Sequence, residues 1–178
     1  MDFITNHSTA IIAIVALLTS VISTLISFYT FRLQRTHYLK TVMPIIHIGQ
    51  WDYENNLFVT LNNVGYGLAM VKEIVVFNKT DEKKNCIYYW LPKKLPGNMN
   101  YKEYWTGYKN FVVQPSQIIK LIEVPVNTAI AEEIETREQI RAVLRQLTVR
   151  VTYEDIYKNK MPVKEMELFH FSRTDNAN

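Results

Sequence analysis

The chain has one cysteine, Cys86, in 178 residues. A single thiol excludes an intramolecular disulfide and any zinc site built on several thiolates. Histidine is scarce as well: His7 and His37 flank a long apolar run, and only His47 and His170 fall beyond it. No serine or cysteine elbow accompanies either of these two, and no cofactor motif is present, so the chain reads as non-enzymatic. Acidic and basic residues are absent from Thr9 to Phe31. From position 41 onward, 17 Lys and Arg face 16 Asp and Glu. The basic pI of about 8.9 therefore comes from the cluster Arg32, Arg35 and Lys40, and the chain lacks the footprint of a protein that binds a nucleic acid duplex.

The uncharged run, TAIIAIVALLTSVISTLISFYTF, is 23 residues long. As a helix it would span roughly 35 Å, enough to cross a hydrocarbon core of about 30 Å. A cleavable signal peptide would have a basic flank before a shorter apolar run, whereas here Asp2 precedes a long one. The sequence therefore predicts an uncleaved anchor in membrane lipid. Its basic residues all follow the span, which places the N-terminus outside and the remaining chain in the cytoplasm, at the inner membrane. On a helical wheel Ala13, Ala16, Ser20, Ser23, Thr24 and Ser27 share one face, with small-xxx-small steps that let helices approach closely and form a homo-oligomer. The plainer alternative is that these hydroxyls bond back to the preceding turn of a lone anchor.

After residues 1–40 (tail, span and basic connector), period-two apolar patterns fill residues 41–171, and 172–178 reads as a loose tail. Strands are expected at Ile45–Trp51, 57–62, Ala69–Phe77, Cys86–Leu91, 111–113, 117–124, Leu147–Tyr153 and Val163–Phe171. One helical stretch, about Ala129–Gln146, interrupts them; Thr136 to Gln139 has capping-box spacing, so it divides into one helix or two. Glu132, Glu133 and Glu135 read as its solvated acidic N-terminus. The fold class is mainly β: a membrane helix followed by an antiparallel sandwich or small barrel with one helical insertion.

The string Asn62-Asn63-Val64-Gly65-Tyr66-Gly67-Leu68-Ala69 lacks the third glycine and the following helix of a dinucleotide loop. It reads as a strand crossing in which both glycines take positive φ. Aromatic residues crowd positions 88–111, interleaved with lysines. Tyr89, Trp90, Lys93, Lys94, Tyr104 and Trp105 are the candidate surface there for a cytoplasmic protein partner or a nucleotide ligand, with core packing as the plainer use. Glu154-Asp155 reads as the start of a turn rather than a catalytic pair.

Three strings together resemble a group of uncharacterised bacterial membrane-anchored β-domain proteins. They are Gln34-Arg35-Thr36-His37 running to Pro44, Asn63-x-Gly65-x-Gly67-x-Ala69, and Thr152 to Asn159. The chain departs from that group at Tyr38, where asparagine is common, and at Lys158, where glycine is common. The layout also resembles membrane effectors of anti-phage defence, in which a β-domain senses a signal and membrane helices assemble. That likeness implies an effector or sensor; a passive anchor or adaptor and a β-barrel sensor of a nucleotide second messenger are the rivals.

The charge asymmetry about the span carries a direct expectation. A reporter active only in the cytoplasm, fused after Asn178, is expected to function, and a periplasm-only reporter is expected to be silent. The opposite pattern would reverse the topology.

Overall fold

The computed structural model describes residues 2–97, 99–107 and 109–176, and the chain divides into two units at Thr41/Val42. The first unit is one unbroken helix, α1 (Asp2–Thr41), so the basic connector expected after the span is helical too. Nothing in residues 9–41 breaks it: there is neither glycine nor proline. From Ile11 to Thr41 it is long and apolar enough to cross a membrane, and its apolar side chains are exposed.

The second unit is built from two antiparallel sheets. One contains β1 (Ile46–Tyr53), β2 (Asn56–Asn63), β7 (Ile118–Pro125) and β5 (Glu103–Tyr104), in the order β1-β2-β7-β5. The other contains β3 (Ala69–Asn78), β4 (Lys83–Lys84), β6 (Lys109–Val113), β8 (Leu147–Glu154) and β9 (Lys164–Glu167), with β3 paired to β8, β4 and β6. Inward residues of both sheets form a single apolar cluster. Leu57, Val59 and Leu61 contribute from β2, and Val149 and Val151 from β8, all fully buried. The alternation read from Leu147 to Tyr153 appears in β8 as strict burial on one face.

Several sequence expectations change. Residues Ile87–Trp90 form a short three-ten helix, not a strand. The reason is topological. One edge of β3 pairs with β8 and the other is shared by β6 and β4, which leaves β3 itself no free edge for this segment. The segment instead curls to bury Cys86, Ile87 and Leu91. The last expected strand is confined to β9, and a three-ten helix at Phe169–Asn176 follows, burying Leu168 and Phe171 beside it. The expected loose tail is therefore helical as far as Asn176, and 177–178 lie outside the described residues.

The helical stretch is one helix, α2 (Ala131–Leu144), because Thr136 turns its hydroxyl back to the Glu132 carbonyl, at 2.8 Å, rather than capping a second helix. Glu133 is buried, contrary to the solvated reading, and accepts a hydrogen bond from the Asn127 backbone N–H at 2.8 Å. Arg141 reaches Asp52 at the end of β1, at 2.7 Å, and both side chains are buried. Each keeps a second partner, Arg137 at 3.4 Å from Asp52 and Glu138 at 3.0 Å from Arg141, so the pair belongs to a four-residue network.

The glycine string is also revised. Gly65 and Gly67 do not have positive φ; among described glycines Gly97 does. A β-carbon at Gly67 would collide with the Val42 carbonyl oxygen, and one at Gly65 with that of Met43. These positions need glycine because two backbones touch. Between them and β2, the buried side chain of Asn63 accepts from the Ile45 and Gly65 N–H groups at 3.2 and 3.1 Å. It donates to the Gly67 and Val113 carbonyls at 2.7 and 3.1 Å.

This arrangement separates two adjacent asparagines. Asn63→Ala is expected to lower unfolding free energy by about 3–5 kcal/mol, since each buried group left unpaired costs about 1–3 kcal/mol. Asn62, whose amide oxygen has no hydrogen-bond partner, should tolerate alanine within about 1 kcal/mol. Denaturant titration of both variants checks the difference; equal losses would refute it.

Candidate functional site

The three-ten turn at Ile87–Trp90 and the short strand β5 bring the expected aromatic patch together. Tyr88 is its centre, stacked on Tyr104 with ring centroids 4.5 Å apart and edge-on to Tyr101 at 5.2 Å. Tyr101 donates its hydroxyl to the Pro92 carbonyl at 2.6 Å. Burial, with the neighbouring Tyr88 adding to it, pushes that hydroxyl up to about 12. Lys84 lies 4.2 Å over the Trp90 ring and donates to the Tyr89 carbonyl at 3.3 Å. Trp105 packs against Phe111 at 5.2 Å and gives its indole N–H to the Gly107 carbonyl.

Of the six candidates, Tyr89, Lys93, Lys94 and Tyr104 are exposed, whereas Trp90 and Trp105 are half-buried in packing. Tyr104 and Trp90 already have ring faces occupied by Tyr88 and Lys84, which reduces the area on which a base could stack. Tyr108 lies outside the described residues. Cys86 sits beneath this patch and donates to the Trp105 carbonyl at 2.9 Å. Burial pushes its thiol up, against the opposing effect of the Tyr88 and Tyr89 backbone, so it lacks the thiolate character of a nucleophile.

Beside the patch, on the outer face of β7, lies a charge network that the sequence reading missed. Glu123 is buried and accepts from Lys120 Nζ at 2.6 Å and Asn56 Nδ2 at 2.9 Å, with Lys102 Nζ 3.6 Å away. Burial alone would push this carboxyl up. The Lys120 hydrogen bond, the Asn56 amide and the two lysine charges outweigh it and hold the group below its ordinary 4.5. The same hydrogen bond raises Lys120. Lys102 separates two surface grooves, one of about 660 Å³ reaching Asn127 and Glu133 and one of about 520 Å³ reaching Gln117 and Ile119.

A second aromatic group was also missed. Trp51, Phe58 and Tyr53 stand side by side on the outer face of β1 and β2, with Trp51 5.8 Å from Phe58 and 6.2 Å from Tyr53. Their positions, 51, 53 and 58, fall on the polar phase of each strand's alternation, which was the available signal. Gly49 leaves the space that the Trp51 indole fills, since a β-carbon there would come within 2.9 Å of its nitrogen.

On α1 the small-residue face of Ala13, Ala16, Ser20, Ser23, Thr24 and Ser27 lies in continuous helix. Thr24 and Ser27 donate their hydroxyls to the Ser20 and Ser23 carbonyls, each at 2.8 Å, as the back-bonding alternative expects. Arg32 lies over the Phe28 ring at 4.7 Å; Arg35 and Lys40 are exposed. Asp155, buried at the end of β8, uses its carboxylate to accept from the Tyr157 and Asn159 N–H groups, both at 2.8 Å. This confirms turn chemistry there. Lys158 adopts φ 64° in that turn, a backbone region that glycine enters without strain.

Comparison with protein-family models and with curated proteins finds no match for this chain.

The Glu123 network sets an acid limit. A carboxyl held below its unfolded value contributes stability above that value and loses it as pH falls through the folded value. Melting temperature should therefore drop as pH falls through and below the ordinary carboxyl value of 4.5, and Glu123→Gln should flatten part of that drop. Parallel melts of parent and variant check it; superimposable acid profiles would refute the assignment.

Proposed function

We propose that this chain is a single-span inner-membrane effector or sensor, non-enzymatic, with its β-domain in the cytoplasm. It self-associates through α1 and disturbs the membrane, as membrane effectors of anti-phage defence do. The observation that carries this reading is the small-residue face on an unbroken helix that is long enough to span. Thr24 and Ser27 already satisfy their hydroxyls within the helix, so a neighbouring helix can approach this face without stranding them. The β-domain supports a binding role over a catalytic one, because its buried ionisable groups are committed to structure. Asp52 holds Arg141, Asp155 holds a turn, Glu133 holds the backbone before α2, and Glu123 holds Lys120.

Ser20→Leu combined with Thr24→Leu tests this reading. Leucine blocks close backbone approach and favours insertion, so the double variant should stay in the membrane with its β-domain folded. It should lose crosslinked oligomers and any growth inhibition on overexpression. A passive anchor or adaptor would show no loss. If the variant crosslinks and inhibits growth like the parent, self-association through this face is wrong.

A further inference from the structure

The strands of the β-domain have two ends, and one of them is tied to the membrane helix. Val42 follows Thr41 directly, and residues 42–45 lead into the start of β1. The pairing places the other segments of that end. Asn63 at the close of β2 faces Ile46, Asn62 faces Ile118 at the start of β7, and Met70 in β3 faces Glu154 at the close of β8. The loop 64–68, the turn 114–117 and the turn 155–159 therefore gather around the point where the chain enters the domain. The three separated strings singled out in the sequence, ending at Pro44, Ala69 and Asn159, all reach this end.

What this end presents is not ordinary loop surface. Gly65 and Gly67 press the loop backbone onto residues 42–45, and the residues between and beside them point outward: Val64 is 60% exposed and Tyr66 82%. Ile118 is 62% exposed, and Tyr157 and Ile45 about half. The acidic groups nearby are engaged, since Glu154 pairs with Lys72 at 2.9 Å and Asp155 is turned into its own loop. Lys158 and Lys160, by contrast, are exposed. Aliphatic tips, tyrosines and lysines around one rim match the layers of an anionic bilayer surface, where chains, carbonyls and phosphates succeed one another.

We propose that this rim docks on the anionic lipid surface from which α1 emerges, with Val64, Tyr66 and Tyr157 in the headgroup layer and Lys158 and Lys160 at the phosphates. The inference rests on the reading of α1 as a membrane span.

The test uses the full chain reconstituted in phosphatidylethanolamine–phosphatidylglycerol vesicles, carrying an environment-sensitive fluorophore on Tyr66→Cys or Tyr157→Cys. Asn55→Cys, in the turn at the opposite end, is the reference, and the parent chain measures any labelling of Cys86. Quenching by lipids with a nitroxide in the headgroup should be at least twofold stronger at 66 and 157 than at 55. Lys158→Glu with Lys160→Glu should reduce that excess in anionic vesicles and leave it unchanged in phosphatidylcholine vesicles. If the chain floats with the vesicles but all three sites are quenched alike, the docking rim is wrong and the span stands. If the chain does not float, both fall together.

Discussion

Four hydrogen bonds to one buried amide hold the β-domain together where its chain begins. The Asn63 side chain has two acceptor positions and two donors, and all four meet backbone groups from three different segments. Its own backbone adds two more ties to the turn before β7, through the Gln117 carbonyl and the Ser116 N–H. An apolar residue in its place would leave the Ile45 and Gly65 N–H groups and the Gly67 and Val113 carbonyls without this side-chain partner. The glycines two and four residues later follow from the same constraint. The chain after the helix must lie against the loop at backbone contact for one amide to reach both.

This explains which features could be read from the sequence and which could not. The strand at Leu147–Tyr153 was legible because burial on one face imposes a two-residue period that any chain must show. The apolar helix was legible because uncharged length is a property of the segment alone. Cys86–Leu91 misled because its composition suits a strand, while the occupation of the β3 edge is decided by β4 and β6 elsewhere in the chain. The glycine string was recognised as structural, but its cause was not: positive φ is a local property, whereas collision with Val42 is a tertiary one.

The candidate surfaces divide in the same way. The aromatic cluster around Tyr88 could be found by counting rings in a short window, yet which ring faces stay open depends on Lys84 and Tyr104 arriving from different elements. The Asp52–Arg141 pair and the Glu123 network could not be seen at all, because each joins residues from distant parts of the chain. Partial burial of charge is affordable at both places only because every charged group there meets an opposite one.

The side chain of Gln50 is a small feature with a wide consequence. It donates to the Glu167 carbonyl at 2.7 Å and accepts from the His170 N–H at 3.1 Å, tying strand β1 to the segment that follows β9. Strand β1 pairs with β2 alone, so its far side is the kind of open border onto which a second strand can add. The closing three-ten helix is anchored beside β1 by Gln50. Under the self-association proposed above, where copies would be crowded into two dimensions, a helix anchored beside β1 would hinder β-domains from pairing sheet to sheet and leave contacts between copies to other surfaces.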